Sequence, residues 1–529
     1  MISKIIDFFR VNKKLTVMAA CVISAAASAF CVMYTGLALL QWVTLVPSAV
    51  CLFYAIDEGI CAKKAYLCGI GFFFAYYFVL FHWFVYMYPL SFLGMNDLES
   101  IVVVILAWFG VSAAQAAVSA LSLPFVIFVS KGAGKRHRWL IAVLVPALWV
   151  LFEWGMSLGA LSVPWSRLAL GQVDMPAVMQ SASLFGSYFV SFLIVLVNFL
   201  IGYALFYKRK LCFAVATLLF AVNLSIGGVM IFNQKEGEKI SVSAVQGNIP
   251  STVKWDQSLF VSSFRIYINY VEKAAQQGAD IVLLPETVVP FVITEDGEVC
   301  KLLSDLAKEQ KICLVVGAFS SDGEEEYNSL WTFDKDGNIN ESLYHKRHLV
   351  PFGEFMPWAD VLGKFIPVLD SLNAFSSDIT PGNDSNVIDT EYGRLGGLIC
   401  FDSIYESLSL DSARDGAQIL LLATNDSWFS DSAALDMHNN QARLRAIETG
   451  RSVVRAANTG ISSIITPTGE VLDSVGAMKR GVLVEDVELR DGVTLYTRIG
   501  NLFVYICGGA VLAVALGGAI RRKMKKADL

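Results

Sequence analysis

The sequence predicts a fold class in two parts: an α-helical polytopic membrane domain with eight transmembrane helices, and an α/β domain outside the membrane. Of the 529 residues, 55% are hydrophobic and only 17% are charged. The long apolar runs fall in residues 1–233 and 498–529, whereas residues 234–497 have the composition of a globular domain. In that middle segment, strand-like runs alternate with amphipathic helical patterns. Together these observations exclude an ordinary soluble protein.

Eight apolar runs define the predicted membrane domain, because a helix needs about 20 apolar residues to cross the hydrocarbon core of a bilayer. Seven precede the polar segment, and residues 498–529 hold the eighth together with a basic tail. We expect the first run to stay in the mature chain, since no clear small-residue cleavage site marks it as a signal peptide. The runs are residues 15–32, 37–56, 65–88, 101–129, 139–158, 177–207, 211–232 and 499–520.

The loops between these runs carry an uneven charge. Eighteen Lys and Arg residues lie on one side of the predicted bilayer, and the opposite short loops hold only Arg167. Cytoplasmic loops are enriched in Lys and Arg. We therefore expect both termini in the cytoplasm and residues 234–497 outside it. The net charge of −6 does not indicate a nucleic-acid partner, because the membrane divides the basic residues.

The polar segment has the alternation of a mixed α/β domain. Three of its strand-like runs end in polar groups, at Glu286, at Cys400 and at Asn425 with Asp426. Sheets of this class build their sites at strand ends, so these groups are expected to form one. The predicted strands are residues 240–244, 281–284, 312–318, 329–333, 395–400, 419–424, 452–456 and 462–466, with helices at 260–277, 299–309 and 438–448 and hairpin turns at 336–337 and 468–469.

Cys400 is the candidate nucleophile, because it ends an apolar strand in the one large polar segment. That segment holds three of the ten cysteines, so at least one of its thiols is unpaired. Cys300 and Cys313 can be packed thiols or a mutual disulfide. A thiol attacks as the thiolate and needs a base or a nearby cation. Glu286 can take the proton, and Lys346 can stabilise the thiolate and an oxyanion.

Each charged residue of this set also has an ordinary structural interpretation. Glu354 follows Lys346 by eight residues and can hold the ammonium in place or assist proton transfer. Taken singly, a glutamate at a strand end more often forms a cap or a surface pair, and a lone lysine is more often solvated. The combination favours catalysis only through a resemblance to a known family, which the following motifs carry.

A set of short motifs runs through the polar segment. They are Val245-Gln-Gly-Asn-Ile-Pro250, Lys254-Trp255, Leu284-Pro-Glu286-Thr287, Leu349-Val-Pro-Phe-Gly-Glu354, Gly397-Leu-Ile-Cys400, Asn425-Asp-Ser-Trp-Phe429, Ala442-Arg-Leu-Arg-Ala-Ile-Glu448 and Arg455-Ala-Ala-Asn-Thr-Gly460. With these motifs, and with a domain inserted before the last of eight spans, the chain resembles the nitrilase superfamily of carbon-nitrogen hydrolases. Within it, the chain resembles the apolipoprotein N-acyltransferase family.

The resemblance implies a nitrilase-like αββα sandwich and a catalytic set. Glu286 falls on the general base, Lys346 on the oxyanion stabiliser and Cys400 on the nucleophile, with Glu354 as the supporting carboxylate. The implied reaction is a ping-pong acyl transfer. A phospholipid, expected to be phosphatidylethanolamine, leaves its sn-1 acyl chain on Cys400 as a thioester. The α-amino group of an N-terminal diacylglyceryl-cysteine on a bacterial apolipoprotein then takes the chain.

The resemblance also implies a setting and further site residues. The setting is the bacterial cytoplasmic (inner) membrane, with the catalytic domain in the periplasm and the chain acting as a monomer. Family members usually have Cys-Tyr-Glu at the nucleophile, where this chain has Phe401 and the shorter carboxylate Asp402 after its cysteine. Trp255 is expected to line the substrate entrance, although an interfacial or packed tryptophan is nearly as common.

Competing functions find little support in the sequence. No zinc spacing, Walker loop or dinucleotide fingerprint occurs, so no metal, cofactor or nucleic acid is predicted. The nearest alternative is a membrane-anchored amide hydrolase with the same catalytic set and water as the acceptor. A transporter or receptor should tolerate loss of Cys400, unlike either enzyme. We interpret Arg443, Arg445, Glu448 and Arg455 as a structural charge network supporting the sheet.

Overall fold

The computed structural model describes residues 13–90, 95–133, 137–159, 162–234, 237–355, 379–383 and 387–527. The predicted cytoplasmic charges at positions 4, 10, 135 and 136 lie outside the described residues. A bundle of helices precedes the α/β domain. Its helices are α1 (Lys13–Met33), α2 (Ala38–Thr44), α3 (Val46–Asp57), α4 (Ala62–Leu80), α5 (Asp97–Ser119), α6 (Ser122–Ala133), α7 (Trp139–Gly155), α8 (Pro176–Met179), α9 (Ala182–Phe185), α10 (Ser187–Tyr207) and α11 (Lys210–Phe232).

Within the described part of the chain, six helical segments are long and apolar enough to cross a membrane. The predicted third and fifth spans correspond to α4, which carries two lysines in its first turn, and to α7, which has 17 residues. The chain is thus a membrane protein, while the count of eight spans remains a prediction. The six segments are Leu15–Met33, Thr35–Asp57, Asp97–Lys131, Ser187–Tyr207, Lys210–Phe232 and Leu502–Ile520.

Three of the predicted runs contain a break between α-helices, and two of them, 37–56 and 101–129, each still lie within one candidate membrane segment. The run 177–207 forms α8 and α9 before α10 begins after Gly186, whose φ of 82° ends the preceding turn. The run 37–56 is broken at Leu45, between α2 and α3. Asn198 of α10 accepts a hydrogen bond from the Leu45 N–H at 2.8 Å and donates to the Gln41 carbonyl at 3.0 Å. The break is tolerated because these hydrogen bonds satisfy backbone groups that would have no partner in the hydrocarbon of a bilayer.

The α/β domain contains two sheets. In the first, the strand order is β13-β1-β2-β4-β5-β6, with β3 also paired to β4, and in the second it is β12-β11-β10-β9-β8-β7. The central strands of both sheets run parallel and the outer ones antiparallel. The strands are β1 (Glu238–Gln246), β2 (Ile281–Leu283), β3 (Val289–Val292), β4 (Cys313–Ser321), β5 (Glu326–Phe333), β6 (Tyr344–His345), β7 (Val387–Thr390), β8 (Gly393–Ile399), β9 (Ile419–Thr424), β10 (Ser452–Ala457), β11 (Ser462–Ile465), β12 (Val471–Val475) and β13 (Gly481–Leu489).

The sheets pack face to face over an apolar layer that includes Leu283 and Val315 of the first sheet and Ile399 and Leu421 of the second. Helices α13 and α14 cover the outer face of the first sheet, and α15 and α16 cover that of the second. The domain is therefore an αββα sandwich. The helices of this domain and of the C-terminal segment are α12 (Ser251–Lys254), α13 (Phe260–Gln276), α14 (Glu298–Gln310), α15 (Glu406–Arg414), α16 (Ala433–Thr449), α17 (Leu495–Ile499) and α18 (Leu502–Ala527).

Cys300 and Cys313 are both free thiols. Cys300 packs with the helices on the outer face of the first sheet, whereas Cys313 lies in the layer between the sheets. The two cysteines lie on opposite sides of the first sheet. They are therefore packed thiols and do not form a mutual disulfide.

The helical bundle and the α/β domain share one hydrophobic core. Phe401, Ile404 and Tyr405 of the domain belong to the same buried cluster as Trp83 and Trp165 of the bundle. The face of the domain that carries the candidate nucleophile is therefore packed directly on the membrane part of the chain.

A buried polar joint fixes the same contact, and we define it by Arg167, Tyr188, Glu406, Arg445 and Glu448. Arg167 forms an ion pair of 2.9 Å with Glu406, while Tyr188 donates to the same carboxylate at 3.0 Å. Arg445 pairs with Glu448 at 2.8 Å and lies 3.8 Å from Glu406. Of the charge network expected under the sheet, Arg445 and Glu448 belong to this joint, whereas Arg443 and Arg455 form separate ion pairs. Pairing offsets the cost of burying Arg167.

Candidate active site

The three predicted catalytic residues meet at one end of the sandwich. Glu286 follows β2, Lys346 follows β6 and Cys400 directly follows β8. Strands β2 and β8 lie in different sheets and run parallel to their neighbours β1 and β9. The N–H of Asn425, directly after β9, donates to Glu286, so the carboxyl ends of the two sheets meet at one edge of the sandwich. All three side chains are buried, with exposed fractions of 5%, 1% and 9%. The site is therefore largely shielded from water.

Lys346 joins the two carboxylates. Its Nζ lies 2.8 Å from Glu286 Oε1 and 2.8 Å from Glu354 Oε1. Asn328 Nδ2 donates to the same two oxygens, at 2.8 Å and 3.3 Å. The backbone N–H of Asn425, at the end of β9, donates to Glu286 Oε2 at 2.8 Å. Glu286 is thus held by groups from both sheets, and its carboxylate cannot rotate freely.

These contacts set the charges of the site. Burial alone would lower the pKa of Lys346, but the two carboxylates raise it well above the ordinary value. Burial would raise the pKa of Glu286, yet Lys346 brings it below the ordinary value. Burial and the charge of Glu286 raise the pKa of Glu354. The resting site therefore holds a fixed cation beside an ionised Glu286.

Cys400 has a left-handed backbone conformation, with φ of +48°. The strand predicted over 395–400 consequently ends at Ile399, because Cys400 begins a 3-10 turn that runs to Ile404. Thr287, next to the candidate base, has the same φ of +48°. Such conformations cost about 1–3 kcal/mol each and cluster at functional sites. Both residues are buried and lie beyond the ends of their strands.

The thiol of Cys400 is protonated at rest. Burial and then the charge of Glu286 raise its pKa, and Lys346 only partly counteracts them. An ionised carboxylate therefore stands beside a neutral thiol. The site thus holds a carboxylate able to accept the thiol proton and an ammonium able to stabilise developing negative charge.

Asp402 connects the nucleophile turn to the lysine segment. Its Oδ2 accepts from the Ile399 N–H at 3.0 Å and from the Tyr344 hydroxyl at 2.8 Å. Its Oδ1 accepts from the N–H groups of Arg347 at 3.2 Å and His348 at 2.8 Å. These donors flank Lys346 on one side and Cys400 on the other. Asp402 therefore holds the two catalytic segments together, and it is fully buried.

Phe401 and Trp255 occupy different surroundings. Phe401 is buried in the core shared with the bundle, 5.4 Å from the ring of Tyr405. Trp255 follows α12 and is half-buried, with the Lys254 ammonium 5.7 Å from its ring centroid. Lys254 donates to the Glu286 carbonyl at 2.8 Å. Trp255 is thus next in sequence to Lys254, whose ammonium contacts the segment that carries Glu286.

A second buried network lies beneath the Cys400 backbone. His438 shares a hydrogen bond of 2.8 Å with Asp426 and one of 3.0 Å with Ser403, and Arg455 donates to Asp426 at 2.6 Å. The Cys400 sulfur, an Asp426 oxygen and a His438 nitrogen lie within 4.8 Å of one another, a spacing compatible with a metal ion. Both imidazole nitrogens already contact protein atoms, and Arg455 places a cation beside the carboxylate. This donor set does not fit a metal.

Aromatic side chains line the boundary between this network and the bundle. Phe429 lies 5.2 Å from Trp83 and 5.5 Å from Trp165, and Trp165 lies 5.6 Å from His438. The Ser430 hydroxyl donates to the Tyr86 carbonyl at 3.0 Å. The site thus borders an apolar surface continuous with the membrane part.

Sequence reasoning missed Asn328. It lies in the polar first half of β5, just before the predicted strand 329–333, where its neighbours suggest a solvent-facing position. It is nevertheless buried and donates to both Glu286 and Glu354.

Comparison with known proteins agrees with this geometry. Residues 241–495 match the family model described as carbon-nitrogen hydrolase, and residues 19–200 match the one described as apolipoprotein N-acyltransferase N-terminal domain. The sandwich and its buried Cys, Glu and Lys therefore define a membrane-bound cysteine enzyme of the carbon-nitrogen hydrolase class.

Individual relatives give a finer assignment. Apolipoprotein N-acyltransferase of Geobacter metallireducens is 34% identical over 77% of this chain and 80% of its own length. That of Gloeobacter violaceus is 30% identical over 92% and 90%. The chain belongs to the apolipoprotein N-acyltransferase family. Among solved structures, Nit3 of Saccharomyces cerevisiae, from branch 10 of the nitrilase superfamily, is 21% identical over 48% of this chain and 92% of its own, with a TM-score of 0.38.

Proposed function

We propose that this protein transfers an acyl chain from a phospholipid, through a thioester on Cys400, to the N-terminal amine of a diacylglyceryl-modified apolipoprotein. One observation carries the proposal: the buried set of Glu286, Lys346 and Cys400 lies on the face of the domain that shares its core with the helical bundle. A nucleophile in that position is next to lipid and away from bulk water.

The first half-reaction forms the acyl-enzyme. Glu286 takes the thiol proton as the Cys400 sulfur attacks the carbonyl carbon of the phospholipid ester, and the oxyanion of the tetrahedral intermediate lies beside the Lys346 ammonium. The bond from carbon to the glycerol oxygen then breaks. The proton passes from Glu286 to that oxygen, so a lysophospholipid leaves and Cys400 carries the thioester.

The second half-reaction releases the chain. The neutral α-amino group of the acceptor attacks the thioester, and Lys346 again faces the oxyanion. Glu286 takes a proton from the attacking nitrogen and returns it to the sulfur as the carbon–sulfur bond breaks. An amide forms and the thiol is restored. Shielding from water favours the amine over hydrolysis, because water at the thioester would waste the acyl chain.

The proposed setting is the bacterial inner membrane, with both termini cytoplasmic and the catalytic domain periplasmic. The distribution of Lys and Arg supports it. Arg167, the single basic residue of the opposite short loops, is buried in the polar joint instead of facing the solvent. We further propose phosphatidylethanolamine as the donor, with its sn-1 chain transferred, and a monomer as the active form.

Intact-mass analysis of the purified full-length protein in detergent tests the proposal. After incubation with phosphatidylethanolamine, the wild type should gain one acyl mass that hydroxylamine removes, and a diacylglyceryl-cysteine peptide should then take the chain. Cys400→Ser should gain no hydroxylamine-labile mass, whereas Cys300→Ser, which alters a buried thiol outside the site, should behave as wild type. An adduct that passes only to water would indicate the amide hydrolase alternative, and absence of any adduct on the wild type would overturn the proposal.

A further inference from the structure

A second lysine lies in the site without a carboxylate partner. Lys254, at the end of α12, is 7% exposed, and its Nζ donates to the Glu286 backbone carbonyl at 2.8 Å. No carboxylate oxygen among the described residues lies within 4.0 Å of this nitrogen. An ammonium has three N–H groups, and a buried one with a single hydrogen bond and no ion pair is costly. Lys254 thus differs from Lys346, which holds two carboxylates.

The surroundings of Lys254 favour its neutral amine. Burial is the largest influence and lowers its pKa to about 7, and the cation of Lys346 acts in the same direction. The charge of Glu286 opposes this change, as a thiolate at Cys400 would. Glu286, Lys346 and Cys400 lie on the segments after β2, β6 and β8. The lowered pKa allows Lys254 to act as a neutral amine near neutral pH.

The second half-reaction needs such a group. An N-terminal amine has a pKa of about 7.7–8.0, so most of it is protonated at neutral pH and cannot attack a thioester. Glu286 is needed for the proton that moves between the attacking nitrogen and the sulfur. Lys346 has a raised pKa and stays protonated. Within the described residues of the site, Lys254 is the amine suited to accept the first proton.

We propose that Lys254 is the base that deprotonates the acceptor's α-ammonium group before it attacks the Cys400 thioester. The inference rests on the proposed acyl transfer and assigns one more proton in it. The ammonium gives one proton to the neutral Lys254, and the resulting amine attacks. Its second proton passes through Glu286 to the departing Cys400 sulfur. Lys254, which is 7% exposed, then releases its proton to solvent.

Single-turnover kinetics on the acyl-enzyme can separate this role from a structural one. Lys254→Gln keeps a donor for the Glu286 carbonyl but cannot accept a proton. We expect it to discharge onto the diacylglyceryl-cysteine peptide about 5–10-fold more slowly at pH 7, because roughly a tenth of the acceptor amine is neutral without a base. This loss should exceed any change in its acylation rate. Its discharge rate should rise with pH and approach that of wild type above the pKa of the acceptor amine. Lys254→Arg, which stays protonated, should show the same defect.

Two controls make the result decisive. Hydroxylamine, a nucleophile that is neutral at pH 7, should discharge Lys254→Gln and wild type equally. Lys273→Gln, an exposed lysine on α13, should leave both half-reactions unchanged. Equal discharge onto the peptide by Lys254→Gln and wild type, with the same pH profile, would overturn the proposal, as would a loss confined to acylation. If the wild type forms no thioester, the proposed function itself fails, which is a distinct result.

Discussion

Asp402→Asn tests the connection between the nucleophile turn and the lysine segment. The carboxylate accepts four hydrogen bonds in a fully buried position, two on each oxygen. An amide can accept on one side only. If its NH₂ group faces Ile399, the Tyr344 hydroxyl can turn and accept, but the Ile399 N–H loses its partner. If it faces the other way, the N–H groups of Arg347 and His348 both lose theirs.

The magnitude follows from the better of these two orientations. One buried N–H left without a partner costs about 1–3 kcal/mol, and the remaining bonds lose their charge assistance. We therefore expect the free energy of unfolding to fall by roughly 2–4 kcal/mol. A shift of Lys346 relative to Cys400 by about 1 Å would slow acylation by about 100-fold. Stability and acylation should decrease together.

Thermal unfolding in detergent and the rate of thioester formation measure the two effects. Asp389→Asn is the matched control, because Asp389 is mostly exposed and its pair with Arg394 is a surface ion pair. Such pairs contribute about 0–1 kcal/mol. The reasoning would be refuted if Asp402→Asn melted at the wild-type temperature and formed the thioester at the wild-type rate.

Two further predictions concern buried carboxylates. Glu354→Gln should slow thioester formation by about 10–100-fold, because Lys346 loses one of the two anions that fix it; an unchanged single-turnover rate would contradict this positioning role. The pKa of Glu406 is lowered to about 2, since Arg167 and Arg445 more than offset the effect of burial. A lowered folded-state pKa means that its stability contribution is present above about pH 4.3 and is lost as the pH falls toward 2. The melting temperature of Glu406→Gln should therefore fall less than that of wild type between pH 5 and pH 2.5, and parallel curves would refute the assignment.

The positions of the main site residues at strand ends could be predicted from the sequence, because apolar runs and local motifs mark those ends. Glu286 and Cys400 each terminate a recognisable apolar run, and the structure brings both to one edge of the sandwich. The roles of these side chains remain predictions, to be decided by the kinetics. The predicted strand over 419–424 agrees with β9, because a short apolar run that ends at polar residues is typical of a buried strand.

Other parts of the fold depend on partners distant in sequence. The polar joint pairs Arg167 with Glu406, which lie 239 positions apart, and no local pattern connects them. The break at Leu45 is likewise stabilised by Asn198 from another helix. Hydropathy averages over such breaks, so the run 177–207 was interpreted as one span, although the candidate membrane segment there is Ser187–Tyr207. Pro47 and Gly186 were the available local signals.

Several strands were also missed for a physical reason. β6 has only two residues, and the side chains of β12 and β13 are largely exposed or partly buried. Their sequences therefore lack the continuous apolar character that marks a buried strand. Their positions are set by pairing with neighbours that were predicted.

The pairing of β1 with β13 bears on how this architecture could have arisen. The two strands bring the first and last residues of the sandwich side by side, with Glu238 opposite Leu489. Adjacent ends allow a complete domain to be inserted at one point of a host chain without disturbing the host's own path. In its chain connectivity the sandwich is thus a complete domain inserted between two membrane segments. The isolated sandwich would nevertheless expose the apolar face that it shares with the bundle, and we expect it to aggregate.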